Sequence, residues 1–209
     1  MKDQDHTKLP SGRDIPLLLL GIVGIGASGP IIAKSLMPVP TMIFWRNFIG
    51  GLFMAPFAIK RKEWRTPIQR RAILWSALGG VFLAFHFICF FWAMKYTSVA
   101  TGTALTATQP IFVAIFIKFK GGHIPKKSFI GIFIAFISVI VITGIDLNLS
   151  VRSFQGDLLA IAGGALAAAY VLVSSKVQKE IATSTFTAVC YLTCSLTVLP
   201  IIFLGNYSL

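Results

Sequence analysis

Seven apolar runs, each about long enough to cross a bilayer, leave this chain very few ways to fold. They are Ile15–Met37, Thr41–Ile59, Ala72–Met94, Thr101–Phe119, Ser128–Ile145, Leu158–Val173 and Thr185–Leu204. Backbone polar groups that face hydrocarbon must be satisfied locally, so each run is expected to be a helix. The fold class that follows is an all-α, multi-pass membrane bundle with about seven transmembrane helices. Short connecting segments make consecutive helices antiparallel neighbours. Composition decides against the soluble alternative: 56% hydrophobic and 12% charged residues, with a mean hydropathy of +0.80, are more apolar surface than a 209-residue soluble core can use. The polar start Met1–Arg13 precedes a run too long for the apolar core of a signal peptide and without a clear small-residue cleavage site, so no cleaved leader is expected.

A net charge of +12 would suggest nucleic acid in a soluble chain, but here the bases fall in the short segments between the apolar runs. No nucleic-acid partner is expected; the partner that composition requires is the lipid bilayer. With the N-terminus as side one, that side receives 15 of the 19 basic residues, including Lys60, Arg61, Lys62, Arg65, Arg70 and Arg71. Lys34, Arg46, Lys95 and Arg152 fall on the other side. Basic residues beside membrane spans stay in the cytoplasm, so the N-terminus is expected to be cytoplasmic and, with seven spans, the C-terminus outside. The three cysteines, Cys89, Cys190 and Cys194, lie within apolar runs as small polarizable packing residues.

A weak internal repeat relates PLLLLGIVGIGASGPIIAKS in the first run to DLLAIAGGALAAAYVLVSSK in the sixth. Both open on leucines, pass through small residues and end near a lysine, Lys34 or Lys176. A repeat of five spans is odd in number, so its second copy enters the membrane from the opposite face, as in many secondary transporters.

Functional candidates are the groups that hydrocarbon does not favour. Lys34 and Arg46 break the apolar pattern near the outer side, with Arg46 about 7 Å into its run at about 1.5 Å per residue. They suit either a positively charged cavity for a carboxylate or phosphate, or snorkelling to the interface. His86, near the middle of the third run, either binds substrate or a proton, or is hydrogen-bonded to a neighbouring helix. In the fourth run a small, polar half precedes a bulky apolar one, with Pro110 between them. Thr103, Thr106 and Gln109 can line a polar path, and Pro110 frees a carbonyl one turn earlier. Threonines also bond their own backbone, which is the plainer reading for Thr101 and Thr103. In the first run, Gly24–Pro30 reads either as a tight packing face or as a substrate-facing break; Gly163, Gly164, Ala167 and Ala168 read as packing.

None of the seven acids falls in the centre of a run, which leaves His86 as the obvious titrating group in the membrane. There is no paired-carboxylate, His-cluster or serine-triad pattern and no nucleotide-binding motif, so neither enzyme, metal nor cofactor is expected.

At IIAKSL, IFWRNFIGGLFMAPF, FHFICFFWAMKYTSVATGTALTATQPIFVAIF, GIFIAFISVIVITG and GDLLAIAGGALAAAYVLVSSK the chain resembles the drug/metabolite transporter superfamily, specifically its EamA-type exporters. That resemblance implies ten helices in two inverted five-helix repeats. It also implies export of small metabolites, amino acids or drugs across the cell membrane by alternating access. It places Lys34, Arg46, His86, Gln109 and Pro110 at motif positions around a central cavity. The expected organisation is a cytoplasmic segment over 1–14, a first repeat over 15–148 and a partial second repeat of two helices over 149–209. Two departures stand out. Gly121-Gly122-His123 replaces the family's glycine-glutamate-basic turn, and nothing after GNYSL corresponds to helices eight to ten. The second departure raises two further expectations: a homodimer or partner that closes the pathway, or a truncated, non-transporting membrane fragment or interaction subunit.

The orientation is open to direct test. In a cysteine-free background in intact cells, Arg152→Cys is expected to react with an impermeant maleimide and Lys62→Cys only after the membrane is permeabilised. The reverse pattern inverts the topology.

Overall fold

The computed structural model describes residue 12, residues 15–144 and residues 150–209. Nearly all of the expected N-terminal segment 1–14, and the expected repeat boundary at 148/149, lie outside the described residues. The elements are α1 (Ile15–Lys34), α2 (Val39–Arg61), α3 (Pro67–Tyr96), α4 (Val99–Thr106), α5 (Gln109–Phe119), α6 (Lys126–Gly144), α7 (Val151–Val177) and α8 (Thr183–Leu204). Among the described residues there is no strand. With α4 and α5 taken together, six spans are long and apolar enough to cross a membrane, and α6 holds a shorter apolar stretch, Lys127–Ser138.

The helix starts are written locally. Thr66 and Gln69 form a capping box: the Gln69 N–H donates to the Thr66 hydroxyl oxygen at 3.2 Å, and the Thr66 N–H donates to the Gln69 side-chain oxygen at 3.3 Å. Pro67 then supplies a φ suited to the first turn. Ser98 and Ser150 cap α4 and α7 by accepting from the N–H groups of Thr101 and Ser153, each at 3.1 Å. These caps start α3 five residues, and α7 seven residues, before the apolar runs begin. The reason is physical: hydropathy marks only what sits in hydrocarbon, whereas a helix continues through polar turns to its cap. Two expectations about the ends of spans are thereby revised. The fourth run is also two helices rather than one, with Ala107 and Thr108 between them. The first run, by contrast, is a continuous helix through Pro30.

α3 is the central helix. It packs most extensively on α7, then on α8, and also touches α1, α2 and α4; α2 packs along α8. Lipid tails are as apolar as leucine, so association here rests on close packing and hydrogen bonds rather than on expelling water. Glycines set the closest approaches. A Cβ at Gly80 of α3 would lie 2.6 Å from the Cys190 carbonyl oxygen of α8, and one at Gly51 of α2 would lie 2.8 Å from Cγ of Leu192. Polar contacts cross the same seams: the Cys190 thiol donates to the Ser76 carbonyl at 3.0 Å, and the Ser195 hydroxyl lies 3.3 Å from the Phe44 carbonyl and 3.0 Å from that of Tyr191. Cys190 and Cys194 are fully buried packing residues.

At the end of the bundle that carries the basic loops, the Glu63 carboxylate reaches α8 from just beyond α2. It accepts from the Ala182 N–H at 3.1 and 3.0 Å and from the Thr185 hydroxyl at 2.6 Å. Ala182 has no capping side chain of its own, so an acid 119 residues earlier serves the positive end of α8.

The glycine seams predict a contrast. Gly80→Ala is expected to cost about 1–3 kcal/mol through overpacking. Gly26→Ala, whose Cβ meets nothing within 4 Å, is expected to cost nothing measurable. Thermal unfolding of the purified variants in detergent, followed by tryptophan fluorescence, measures both.

Candidate functional site

Arg46 lies on α2, seven residues after its start, and its guanidinium carbon stands 4.6 Å over the Phe87 ring and 5.8 Å over that of Phe91. Phe91 is fully buried and Phe87 is 9% exposed, so the cation rests on a fixed aromatic floor. Across that floor, the His86 ring centroid is 5.1 Å from that of Phe87, and the imidazole stacks on Phe90 at 5.9 Å and 17°. Arg46 and His86 therefore bracket one phenyl ring, although 40 residues separate them in sequence. Arg46 itself is exposed.

His86 Nδ1 lies 2.8 Å from the Gly163 carbonyl oxygen of α7. A carbonyl only accepts, so Nδ1 carries the proton and Nε2 of the neutral ring is left as an acceptor. One nitrogen is thus spent on helix packing while the other keeps its chemistry. Of the two expected readings of His86, the structure shows the hydrogen bond to a neighbouring helix.

Gly163-Gly164 is the hinge point of this arrangement. A Cβ at Gly163 would stand 3.5 Å from the Phe90 nitrogen of α3; one at Gly164 would stand 3.0 Å from the Thr106 carbonyl oxygen and 3.6 Å from the Gln109 nitrogen. The pair is the packing feature the sequence suggests, and it also joins α3 to the α4–α5 break. At the break the Thr108 N–H bonds the Leu105 carbonyl at 3.2 Å, and the Ile111 N–H bonds that of Thr108 at 2.9 Å, both over three residues. Pro110, without an N–H, sits where the second helix starts.

The other candidates are dispersed. The Thr106 hydroxyl is engaged with the Gly102 carbonyl of its own helix at 2.8 Å and lies 3.3 Å from that of Ala160 on α7. Gln109 and Pro110 line a separate cleft with Val113, Ile132 and Val171, on the α6 side of the break. Lys34 closes α1 as an exposed residue. Thr103 faces Gly29, whose Cβ would lie 3.6 Å from its hydroxyl oxygen. The arrangement therefore assembles Arg46 with His86 and leaves Lys34, Thr106, Gln109 and Pro110 elsewhere.

Three groups escape the sequence reading. Phe87 reads as one aromatic among several, yet it is the surface that Arg46 and His86 share. The Lys95 amine closes the end of α1 by donating to the Ala33 carbonyl at 3.1 Å and to the Ser35 carbonyl. A lysine in the last turn of one helix, near the end of another, was the available signal, because the last carbonyls of a helix lack intrahelical partners. Asp157, just before the expected sixth run, lies within α7, and its Oδ1 is buried without a hydrogen-bond partner. Among the described residues no cluster of His, Cys, Asp and Glu is arranged to hold a metal.

A comparison with known proteins matches the EamA-like transporter family over residues 13–144, which hold α1 to α6 with Arg46, His86 and the helix break. An uncharacterised transporter of Archaeoglobus fulgidus is 31% identical over 134 residues, covering 63% of this chain and 45% of that protein. The threonine/homoserine exporter RhtA of Salmonella typhimurium is 26% identical over 176 residues, covering 83% and 57%. The pseudopaline exporter CntI of Pseudomonas aeruginosa is 26% identical over 95 residues, covering 45% and 32%. The chain thus spans about half the length of the curated relatives it matches, and no solved structure matches it. With a family match over well over half of its residues and an all-helical, multi-pass architecture, the chain belongs to the EamA-like transporter family of the drug/metabolite transporter superfamily.

Proposed function

We propose that this chain forms the substrate-binding part of a secondary exporter that moves small organic solutes across the cell membrane by alternating access. The observation that carries the reading is Arg46 and His86 bracketing Phe87. Together they offer a cation for a carboxylate, an aromatic face for an apolar portion and Nε2 for a donor. A small metabolite or amino acid fits these three features, and RhtA and CntI bear the names of exporters of such compounds. Transport, rather than catalysis, is the use to which a cation within a membrane helix is suited when no nucleophile stands beside it among the described residues.

In this reading the α4–α5 break supplies the moving part. Thr106, Gln109 and Pro110 lie where helical hydrogen bonds are interrupted, and Gly163-Gly164 lets α7 slide against the break at van der Waals contact. Lys34 stands at the outer mouth, with the N-terminus in the cytoplasm. The division into a first repeat over 15–148 and part of a second over 149–209 belongs to the same proposal. It is supported by the extensive packing of α2 on α8, the second helix of each repeat.

A second arrangement is favoured by the exposure of Arg46 and of almost every residue of α1: another copy of the chain, or a partner, packs on this side and closes the path. Reconstituted vesicles address both. If a homodimer closes the path, solute flux is expected to be low at a low protein-to-lipid ratio and to rise more steeply than in proportion to the amount of chain in the vesicles.

The substrate role of Arg46 is tested by Arg46→Ala and Arg46→Lys in vesicles with a panel of amino acids and their decarboxylated amines. Loss of a charge-assisted contact is expected to reduce flux of the carboxylates by about tenfold or more, with Arg46→Lys keeping part of it and the amines little affected. Equal flux of carboxylates in Arg46→Ala and the unaltered protein, at equal folded amounts, refutes the role.

A further inference from the structure

At the end of the bundle that carries the basic loops, and away from Arg46 and His86, α3, α7 and the end of α5 enclose a cleft of about 370 Å³. Arg71, Lys120 and Lys176 line it, with Glu180 as the one carboxylate on its wall among the described residues. Its remaining wall is apolar: Trp75, Ile68, Ala72, Leu172, Val173 and Val177.

The three bases are not equally accounted for by the fold. Lys120 follows α5 and Lys176 ends α7, where the negative end of a helix dipole holds a cation. Arg71 stands near the start of α3, at the positive end of a dipole whose first turn contains no acid, and gains nothing from it. Its neighbour Arg70 is occupied, donating from Nε to the Trp64 carbonyl at 2.9 Å. Arg71 instead lines the cleft beside two lysines, and an anion between them would relieve that repulsion.

The shape of the cleft selects among anions. A free phosphate would need the bases alone, whereas here they border an apolar wall that runs along the helices, with exposed Trp75 on it. Tryptophan favours the level of lipid headgroups, and basic pockets between transmembrane helices suit phospholipid heads. The geometry points to a binding site for an anionic phospholipid, its headgroup among Arg71, Lys120 and Lys176 and its acyl chain along Trp75, Leu172 and Val173. Such a lipid bridges three helices on both sides of the α4–α5 break and steadies the intracellular ends of α3, α5 and α7 against one another.

Native mass spectrometry of the purified full chain, offered equal amounts of dioleoyl phosphatidylglycerol and dioleoyl phosphatidylcholine, tests the site. The unaltered protein is expected to retain one phosphatidylglycerol at least about fivefold in preference to phosphatidylcholine. The triple variant R71Q/K120Q/K176Q is expected to lose that preference, each base contributing about fivefold. K60Q/K62Q/R65Q removes the same charge outside the cleft and is expected to keep it; K176Q alone, if the triple variant does not fold, is expected to weaken it about fivefold. Equal retention of the two lipids by the unaltered protein overturns the proposal. So does an equal loss in K60Q/K62Q/R65Q, which would show bulk charge at work, or displacement of the lipid by millimolar inorganic phosphate, which would show a site for the free anion.

Discussion

Helices in a bilayer gain nothing from hiding apolar surface from one another, and the organisation of this protein follows from how it meets that constraint. The helices must approach until backbones and short side chains touch, and glycine is placed where they do. Gly50-Gly51 admits Tyr191 and Leu192 of α8 to α2, Gly80 admits the Cys190 carbonyl to α3, and Gly163-Gly164 admits both α3 and the α4–α5 break to α7. Small hydroxyls and a thiol then bond across the gaps, as Cys190 does to Ser76. α3 becomes central because the seams with α7 and with α8 both run along it. Its fully buried Phe91 and the nearly buried Phe87 follow from that position.

The same seams position the polar groups. A histidine in the membrane needs a partner for its N–H, and α7 comes close enough through Gly163 for its carbonyl to supply one. Fixing Nδ1 fixes the ring, and fixing the ring leaves Nε2 facing away from the helix it is bonded to. Arg46 meets the same difficulty in another way: with no carboxylate beside it among the described residues, its guanidinium rests on the faces of Phe87 and Phe91. A cation held by aromatic quadrupoles is less fully neutralised than one in an ion pair, and it retains its appetite for an anion. The structure thus keeps two polar groups orderly in an apolar medium without using up their chemistry.

The end of the bundle that carries the basic loops is built on charge instead. It gathers most of the bases, and its acids are few enough that each placement matters. Glu63 is used as a cap for α8, a role that binds the first helices to the last. Arg71, Lys120 and Lys176 are left around a cleft on whose wall Glu180 is the single acid among the described residues. The membrane surface is the natural complement to such a distribution.

The sequence by itself determined the helical, membrane-spanning class, the number of runs and the residues that hydrocarbon does not favour. Those follow from local quantities: apolar length, the spacing of charges and the energetic cost of an unpaired backbone group. Hydropathy alone placed the starts of α3 and α7 too late, because the caps at Thr66 and Ser150 lie in polar turns before the apolar runs. The tertiary structure alone decided which unusual residues meet. Arg46 and His86 share Phe87 because α2 and α3 face each other there, whereas Gln109 and Pro110, only a span away from His86 in sequence, turn toward α6. Likewise Glu63 serves a helix that begins 120 residues later. Periodicity within one helix says which face is polar; which neighbour that face meets depends on the rotation and spacing of helices. In a bilayer these are fixed by close contacts such as those of Gly80 and Gly164, which exist only once the helices have come together.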